Sequence, residues 1–393
     1  MACDVYKRSR KEDNKLNIII FFTIFILLFV LQTYIIKKWF IENLYFSNTT
    51  KQYLTYLLYL LFVILLFYPL ARYFPVIPNW LYGILSIPIG IIFITFCITI
   101  LYKLSHLAFY KSNFNSDRRI FFKKSADISA ISLAIATNSN AMLNAKNIEL
   151  ETIDIKIRNL KKSYKIVQIS DVHIGGLIDK TFIESLVTKV NLLKPDIVVI
   201  TGDLVDTKLE FAKPALDELK NLNSKFGNYF IIGNHEYFHG VKPIIDYVNS
   251  LNIKTLENEN VYIGEFNDGF YLCGVYDMFG LRYGSFLPDL EKSLKNTEDQ
   301  PTILLAHQPK YINEIKDTKG IDLILCGHTH GGQIIPFNLL VQLQQPYIKG
   351  LHQHNEHTQI YVNKGTGFWG PPMRLGTTSE ITLININSNT HLS

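Results

Sequence analysis

The sequence predicts two parts in one chain: an N-terminal α-helical transmembrane region and, after it, an α/β domain. Two observations separate them. Three runs, 16–36, 53–71 and 80–102, contain no charged residue. Further on, short apolar runs each stop at a residue able to bind a metal: QISDVH at Asp171 and His173, VVITGD at Asp203, FIIGNHE at Asn234, LLAH at His307, and LILCGHTH at His328 and His330. The first pattern needs lipid as its solvent. The second builds a ligand cluster along one edge of a sheet, because parallel strands buried on both faces present their carboxyl ends as a row of loops.

The three N-terminal runs define residues 1–103 as the membrane region. About 20 apolar residues, rising roughly 1.5 Å each, cross a hydrocarbon core of about 30 Å. Aromatic residues stand at the rims, Tyr34 with Trp39, Tyr53 with Tyr68, and Trp80 with Tyr102, where amphipathic rings settle at the headgroup level. A buried helix of a water-soluble domain would show a polar stripe, and these show none.

Residues 104–145 read as a juxtamembrane linker. Between residues 103 and 124, Lys103, Lys111, Arg118, Arg119, Lys123 and Lys124 are opposed only by Asp117, which suits a segment lying against anionic headgroups. The apolar centre at 128–136 contains Ser129 and Ser132 and is short and polar for a fourth span, so whether 125–144 forms a fourth apolar helix across the membrane stays open. Two readings of 125–144 stay open, a segment resembling a twin-arginine export signal and a weakly apolar linker helix. The Lys and Arg balance of the flanking loops has a small margin, so the side of the membrane on which the α/β part lies stays open too. The four cysteines, Cys3, Cys97, Cys273 and Cys326, form neither a disulfide framework nor a thiolate metal site. The net charge of +5 gathers around the membrane segments, which argues against nucleic-acid binding.

Residues 146–393 form the α/β domain. Residues 164–170 read as a strand. A helix then follows in which Ile183, Leu186, Val187, Val190 and Leu193 share one side, with Thr181 and Glu184 as a capping box, and 197–201 returns as the next strand. Asp171, Asp203 and Asn234 recur at intervals of about 32 residues, the length of one strand-helix-strand unit, so each unit brings its ligand back to the same edge. Later strands are expected at 270–275, 302–306, 323–326, 359–363 and 380–385. They lack long helices between them, so the sheet becomes mixed or passes into a second sheet.

These residues resemble the calcineurin-like metallophosphoesterases. The signature D-x-H, G-D, G-N-H-D/E, H and G-H-x-H is present in order, as Asp171-Val172-His173, Gly202-Asp203, Gly233-Asn234-His235-Glu236, His307 and Gly327-His328-Thr329-His330. The ending Asn363-Lys364-Gly365-Thr366-Gly367 with Gly370-Pro371-Pro372-Met373-Arg374 resembles the membrane-attached subgroup, transmembrane proteins with a metallophosphoesterase domain. The resemblance covers roughly residues 160–390 and implies a layered α/β/β/α sandwich.

Two cations about 3.5–4 Å apart need one ligand that touches both, and Asp203 is the candidate bridge. The resemblance implies that Asp171, His173 and His330 complete one site and Asn234, His307 and His328 the other. Mixed imidazole and oxygen ligands suit manganese, iron or zinc better than calcium, with manganese the working expectation. A two-cation centre makes a water more acidic and draws charge from phosphoryl oxygens. His235 approaches the same pocket without being needed as a ligand, and the resemblance implies that it protonates the leaving oxygen. Catalytic residues are therefore Asp203 and His235.

Other residues read less sharply. Glu236 either orients His235 or lies on the surface. His239 reads as a solvated loop residue, and His352, His354 and His357 as a polar loop. Arg282 and Arg374, in glycine-containing loops, are candidates for binding a second phosphate or a sugar acid through the planar guanidinium, against a default of surface salt bridging. Phe368 and Trp369 either pack over a lipid or a base or fill a loop.

The resulting expectation is a membrane-anchored phosphoesterase. It would act on a phosphomonoester, phosphodiester or pyrophosphate bond, with membrane lipids as partners. A lipid-linked substrate such as UDP-2,3-diacylglucosamine or a phospholipid is the favoured class. The rivals are a non-catalytic scaffold or sensor of the same fold. Oligomeric state is not legible.

Overall fold

The computed structural model describes residues 20, 22–73, 77–110, 116–265, 267–318 and 320–388. Cys3, Lys111 and the start of the first apolar run (16–19 and 21) lie outside it. The chain divides into two compact units, Met1–Asn140 and Ala141–Ser393.

In the first unit three helices are long and apolar enough to cross a membrane, Phe22–Asn43, Asn48–Ala71 and Asn79–Leu107. Each outruns the uncharged stretch that announces it, because backbone hydrogen bonding continues past the first lysine. The first helix carries Lys37 and Lys38 in a π-helical turn, Ile36–Phe40, and the third includes Lys103. Ser47 caps the second, accepting from Thr50 N at 3.1 Å. Leu57, Leu60 and Val63 on its flank are exposed, as expected of side chains that meet hydrocarbon.

Residues 104–145 are helical wherever they are described. Lys103–Tyr110 completes the third helix and Ser116–Lys146 forms one continuous helix, which is not among the three candidate spans. Its Asp127, nearly fully buried, accepts from Tyr102 Oη and Tyr45 N, both at 2.6 Å, and pairs with Lys123 at 3.8 Å. These bonds hold the part of the helix that belongs to the first unit, up to Asn140.

The second unit contains two six-stranded sheets. The first takes β1 (Ile148–Ile157), β2 (Tyr164–Ile169), β3 (Ile197–Thr201), β4 (Asn228–Ile231), β5 (Ile253–Thr255) and β12 (Ser379–Ser388), in the order β1-β12-β2-β3-β4-β5. The second takes β6 (Glu259–Ile263), β7 (Phe270–Gly274), β8 (Thr302–Leu305), β9 (Leu323–Cys326), β10 (Gly350–Gln353) and β11 (Gln359–Val362), in the order β10-β11-β9-β8-β7-β6. Pairing from β2 through β5 is parallel, as it is from β7 through β9 and on to β11. β12 enters antiparallel to β2, and β6 and β10 close the second sheet antiparallel.

Two separate cores explain why the central strands lack polar alternation. Ile197 and Val199 point between the sheets, with Ile166, Ile231, Leu272, Ile303, Leu305, Leu323 and Leu325. Their neighbours Val198 and Ile200 point outward, with Val167 and Phe230, onto helices Lys180–Leu192, Leu209–Leu216 and Val241–Ser250. Leu304, Ile324 and Cys326 cover the outer face of the second sheet with Tyr311, Ile312 and Ile315. The outer layer there is built from a 3-10 turn, Pro309–Glu314, and the short helix Leu290–Ser293, whose Leu290 packs on the same core. The result is the layered α/β/β/α sandwich, with its last layer thin.

Two local expectations change. Helix Lys180–Leu192 is capped by Asp179, whose carboxylate accepts from Phe182 N at 3.1 Å. Thr181 and Glu184 already lie inside the first turn, so they form no capping box. Strand β1 pairs in parallel with β12, a contact between the first and last strands of the second unit that no local pattern announces.

Candidate metal centre

All seven expected ligands follow strand ends on one edge. Asp171 and His173 follow β2, Asp203 follows β3, Asn234 follows β4, His307 follows β8, and His328 and His330 follow β9. Pairing continues past the strands and carries the ligands inward: His173 N donates to Asp203 O at 3.0 Å, and Gly327 N to His307 O at 2.9 Å. Five ligands have left-handed backbone, Asp171 (φ 51°), His173 (55°), Asp203 (50°), His328 (72°) and His330 (51°). Residues other than glycine and asparagine avoid that region, and their clustering marks a site held under strain by its surroundings. Gly202 (φ 91°) shows the crowding, because a Cβ there would stand 2.5 Å from His307 Nδ1. A Cβ on Gly327 would collide with Ser170 Oγ and the Asp171 carboxylate.

Three overlapping groups have ligand atoms within 4.8 Å of one another: Asp171, His173 and His330; His173, Asp203 and His235; and Asp203, His307 and His328. His173 Nε2 lies 2.9 Å from His330 Nε2 and 3.9 Å from Asp203 Oδ2. His307 Nε2 lies 3.2 Å from both Asp203 Oδ2 and Asn234 Oδ1. His307 Nδ1 faces the Thr201 carbonyl at 2.7 Å. A carbonyl only accepts, so Nδ1 carries hydrogen and Nε2 is the atom turned to the cluster.

The electrostatics fit a cation-binding centre. Burial pushes Asp171 up to about 6, with the nearby Asp203 carboxylate adding to the rise. Burial would raise Asp203 as well, but His307, His235 and His173 outweigh it and hold it well below the usual carboxylate range. His307 is the mirror image: burial opposes its charge, but Asp203, Asp171 and Asp277 keep it well above its ordinary value. Burial, then the charge of His307, drive His328 down to about 3, so it is a neutral donor. His328 Nδ1 is buried without a hydrogen-bond partner, an arrangement that costs free energy unless something accepts its lone pair. Oxygen and imidazole donors facing inward, that orphaned nitrogen, and a carboxylate common to two groups fit a pair of divalent ions with Asp203 between them.

Around the ligands the structure changes several sequence-level readings. Glu236 is neither a surface residue nor a partner of His235. It is fully buried and accepts from Asp203 N (3.1 Å), Val205 N (2.9 Å) and Gly233 N (2.7 Å), joining the loops after β3 and β4. The group that orients His235 is Asp206, whose Oδ1 lies 2.6 Å from His235 Nδ1. Sequence reasoning missed Asp206, although it stands on the same ligand loop as Asp203. His239 is not simply solvated, because its Nε2 lies 3.5 Å from the same Asp206 oxygen.

Arg374 is fully buried and not open to a substrate. Its guanidinium donates to the carbonyls of His330, Thr378, Gly365 and Gly367 at 2.6–3.2 Å, bracing the backbone behind His330. Arg282 is exposed on the short helix Gly280–Tyr283, and its side chain makes no hydrogen bond or ion pair with the ligands among the described residues. His352 and His354 meet Tyr347 and join none of the ligand groups. Trp369 is exposed, with its ring 6.2 Å from that of His235, and Phe238 flanks the same imidazole at 5.6 Å.

Comparisons with known proteins agree with this geometry. Residues 164–332 match the calcineurin-like phosphoesterase family. An uncharacterized metallophosphoesterase of Helicobacter pylori is 45% identical over 239 residues, 61% of this chain and 64% of the relative. One from Campylobacter jejuni is 40% identical over 275 residues, 70% of this chain and 71% of the relative. The transmembrane protein with metallophosphoesterase domain of Bos taurus is 41% identical over 245 residues, 59% of this chain and 55% of the relative. The match thus spans a little under two thirds of the Helicobacter relative's length and just over half of the bovine one's. On the ligand motifs, the two-sheet fold and these relatives together, the chain belongs to the calcineurin-like phosphoesterase family.

Proposed function

We propose that the protein is a membrane-anchored, two-metal phosphoesterase that hydrolyses a phosphoester or pyrophosphate bond of a lipid-linked substrate. The observation that carries the reading is Asp203, which lies in one group of possible ligands with His173 and His235 and in another with His307 and His328. Asp171, His173, Asp203 and His330 would hold one cation, and Asp203, Asn234, His307 and His328 the other. Manganese is the first choice over iron or zinc. When bound, the pair supplies Lewis-acid polarisation of the phosphoryl group and a more acidic water.

The chain's own residues do the rest. Asp206 accepts a hydrogen bond from His235 Nδ1–H, which leaves Nε2, 3.8 Å from Asp203 Oδ2, as the atom that gives a proton to the departing oxygen. Asp203 N and Gly233 N are held by Glu236, so the bridging carboxylate and the Asn234 loop keep one register while the proton moves. The rings of Phe238 and Trp369 flank His235. Three helices able to cross a membrane favour a multi-pass protein of the cell membrane and a substrate carrying acyl chains, such as UDP-2,3-diacylglucosamine or a phospholipid. A scaffold without catalysis would tolerate loss of ligands, and all seven are present.

Purified protein supplied with manganese should hydrolyse a generic aryl phosphate or phosphodiester. Asp203→Asn should lose both metal and turnover, whereas His235→Ala should keep the metal and slow most on substrates with poor leaving groups. Wild-type turnover in Asp203→Asn would remove the bridge and the reading with it.

A further inference from the structure

Beyond the ligand loop at His330, the chain exposes an apolar segment that neither the metal centre nor the core uses. Ile335, Phe337, Leu339, Leu340 and Leu343 are all exposed, Leu343 at 83%, and the short helix Asn338–Gln342 within it buries no side chain. Five large apolar side chains in nine residues form a patch of the kind that marks an interaction site. Residues 333–348 contain no charged residue.

The segment is held firmly from beneath. Gln333 exchanges two hydrogen bonds with the Trp369 backbone, at 2.8 and 3.1 Å. Ile334 bridges to Leu375, and Gln345 Oε1 accepts from Lys310 N at 2.9 Å. Those bonds join the patch to Trp369, and Trp369 reaches His235. The apolar surface therefore begins at the rim of the metal centre.

We propose that segment 335–343 and Trp369 dock into the lipid surface of the membrane, so that the cleft opens at the lipid–water boundary and takes phosphoesters whose acyl chains remain in the bilayer. The proposal deepens the membrane-anchored reading above and rests on it. Three features favour lipid over a protein partner or a second copy. The same chain carries three helices able to cross a bilayer, which keeps lipid at high local concentration. Residues 333–348 carry no charged side chain, so entering the headgroup boundary strips no charge of its water. Its composition, leucines and a phenylalanine with a tryptophan at the edge, is that of segments that sink about 5–10 Å into the headgroup boundary.

Trp369 is a built-in reporter. The chain has three tryptophans, and Trp39→Phe with Trp80→Phe leaves Trp369 alone in the full-length protein. Reconstituted in nanodiscs whose lipids carry bromine near the headgroup end of the chain, this variant should lose Trp369 emission relative to unbrominated lipid. Adding Leu340→Asp and Leu343→Asp should restore it. Emission that ignores bromine overturns the proposal, whether Trp369 is open to aqueous acrylamide or shielded from it by protein. Quenching that survives the two aspartates also overturns it, because the segment would then not be what docks. Quenching with no hydrolysis of any lipid phosphoester would leave the docking intact and sink the functional reading instead.

Discussion

Glu236 offers the most direct test of how the centre is held. Its carboxylate receives three backbone N–H groups from two different ligand loops, and it is fully buried. Glu236→Ala leaves those donors without partners where water has little access. At about 1–3 kcal/mol for each stranded donor, offset in part by relaxation, the loss is about 3–6 kcal/mol. That is a large share of the roughly 5–15 kcal/mol that holds a domain folded. Glu236→Gln keeps the shape, and its carbonyl can still serve Asp203 N and Gly233 N, so it should cost about 1–3 kcal/mol from the one N–H opposite its amide. Burial pushes the Glu236 carboxyl up to about 7, with the Asp203 charge adding to the rise, so the glutamine also mimics a protonation state open to the native residue. Chemical denaturation of the detergent-solubilised protein reads the stability, and a manganese titration reads the site. Manganese affinity should fall about 10–100-fold in the alanine variant, as when groups supporting metal ligands are lost. A wild-type denaturation midpoint together with wild-type manganese affinity in Glu236→Ala would refute the clamp.

Asp206→Asn should lower kcat about 10–100-fold with metal stoichiometry unchanged, measured by turnover beside elemental analysis. Because Asp206 Oδ2 also lies 3.8 Å from His173 Nδ1, a parallel loss of metal would instead assign Asp206 to the ligand. Arg374→Met should destabilise the fold by about 3–5 kcal/mol, since it strands several buried carbonyls that the guanidinium now serves. A variant of wild-type stability with only a raised KM would return Arg374 to substrate binding. Asp277 tests pH dependence: burial pushes its carboxyl up to about 6, and its Oδ2 is buried without a hydrogen-bond partner. The folded state then holds the Asp277 proton more tightly than the unfolded chain does. Stability is therefore lost as pH rises from about 4 through 6, by about 3 kcal/mol in all, and does not return above that range. Asp277→Asn should remove this slope, so the stability difference between variant and wild type should widen with pH and level off above about 6. A difference independent of pH would refute the shift.

What the sequence by itself determined are the features set by composition or by short-range pattern. Three long uncharged runs announce three helices long and apolar enough to cross a membrane, although not where those helices end. The central strands are legible because each is sandwiched between two cores, which removes alternation. The candidate ligands stand out because metal chemistry restricts residue type, and because each strand-helix unit returns its loop to the same sheet edge. The tertiary structure alone decided which group serves which. Asp206 and Glu236 are both acids close to a ligand, and nothing in their local sequence says that one meets an imidazole and the other three backbone N–H groups. Arg374 reads as an exposed loop residue until the loops after β9 and β11 close over it. Strand β1 finds β12 across almost the whole second unit. The exposed leucines after His330 look like one more apolar run until packing leaves them uncovered. Such partnerships depend on distances between residues far apart in the chain, which only the folded arrangement of the two sheets specifies.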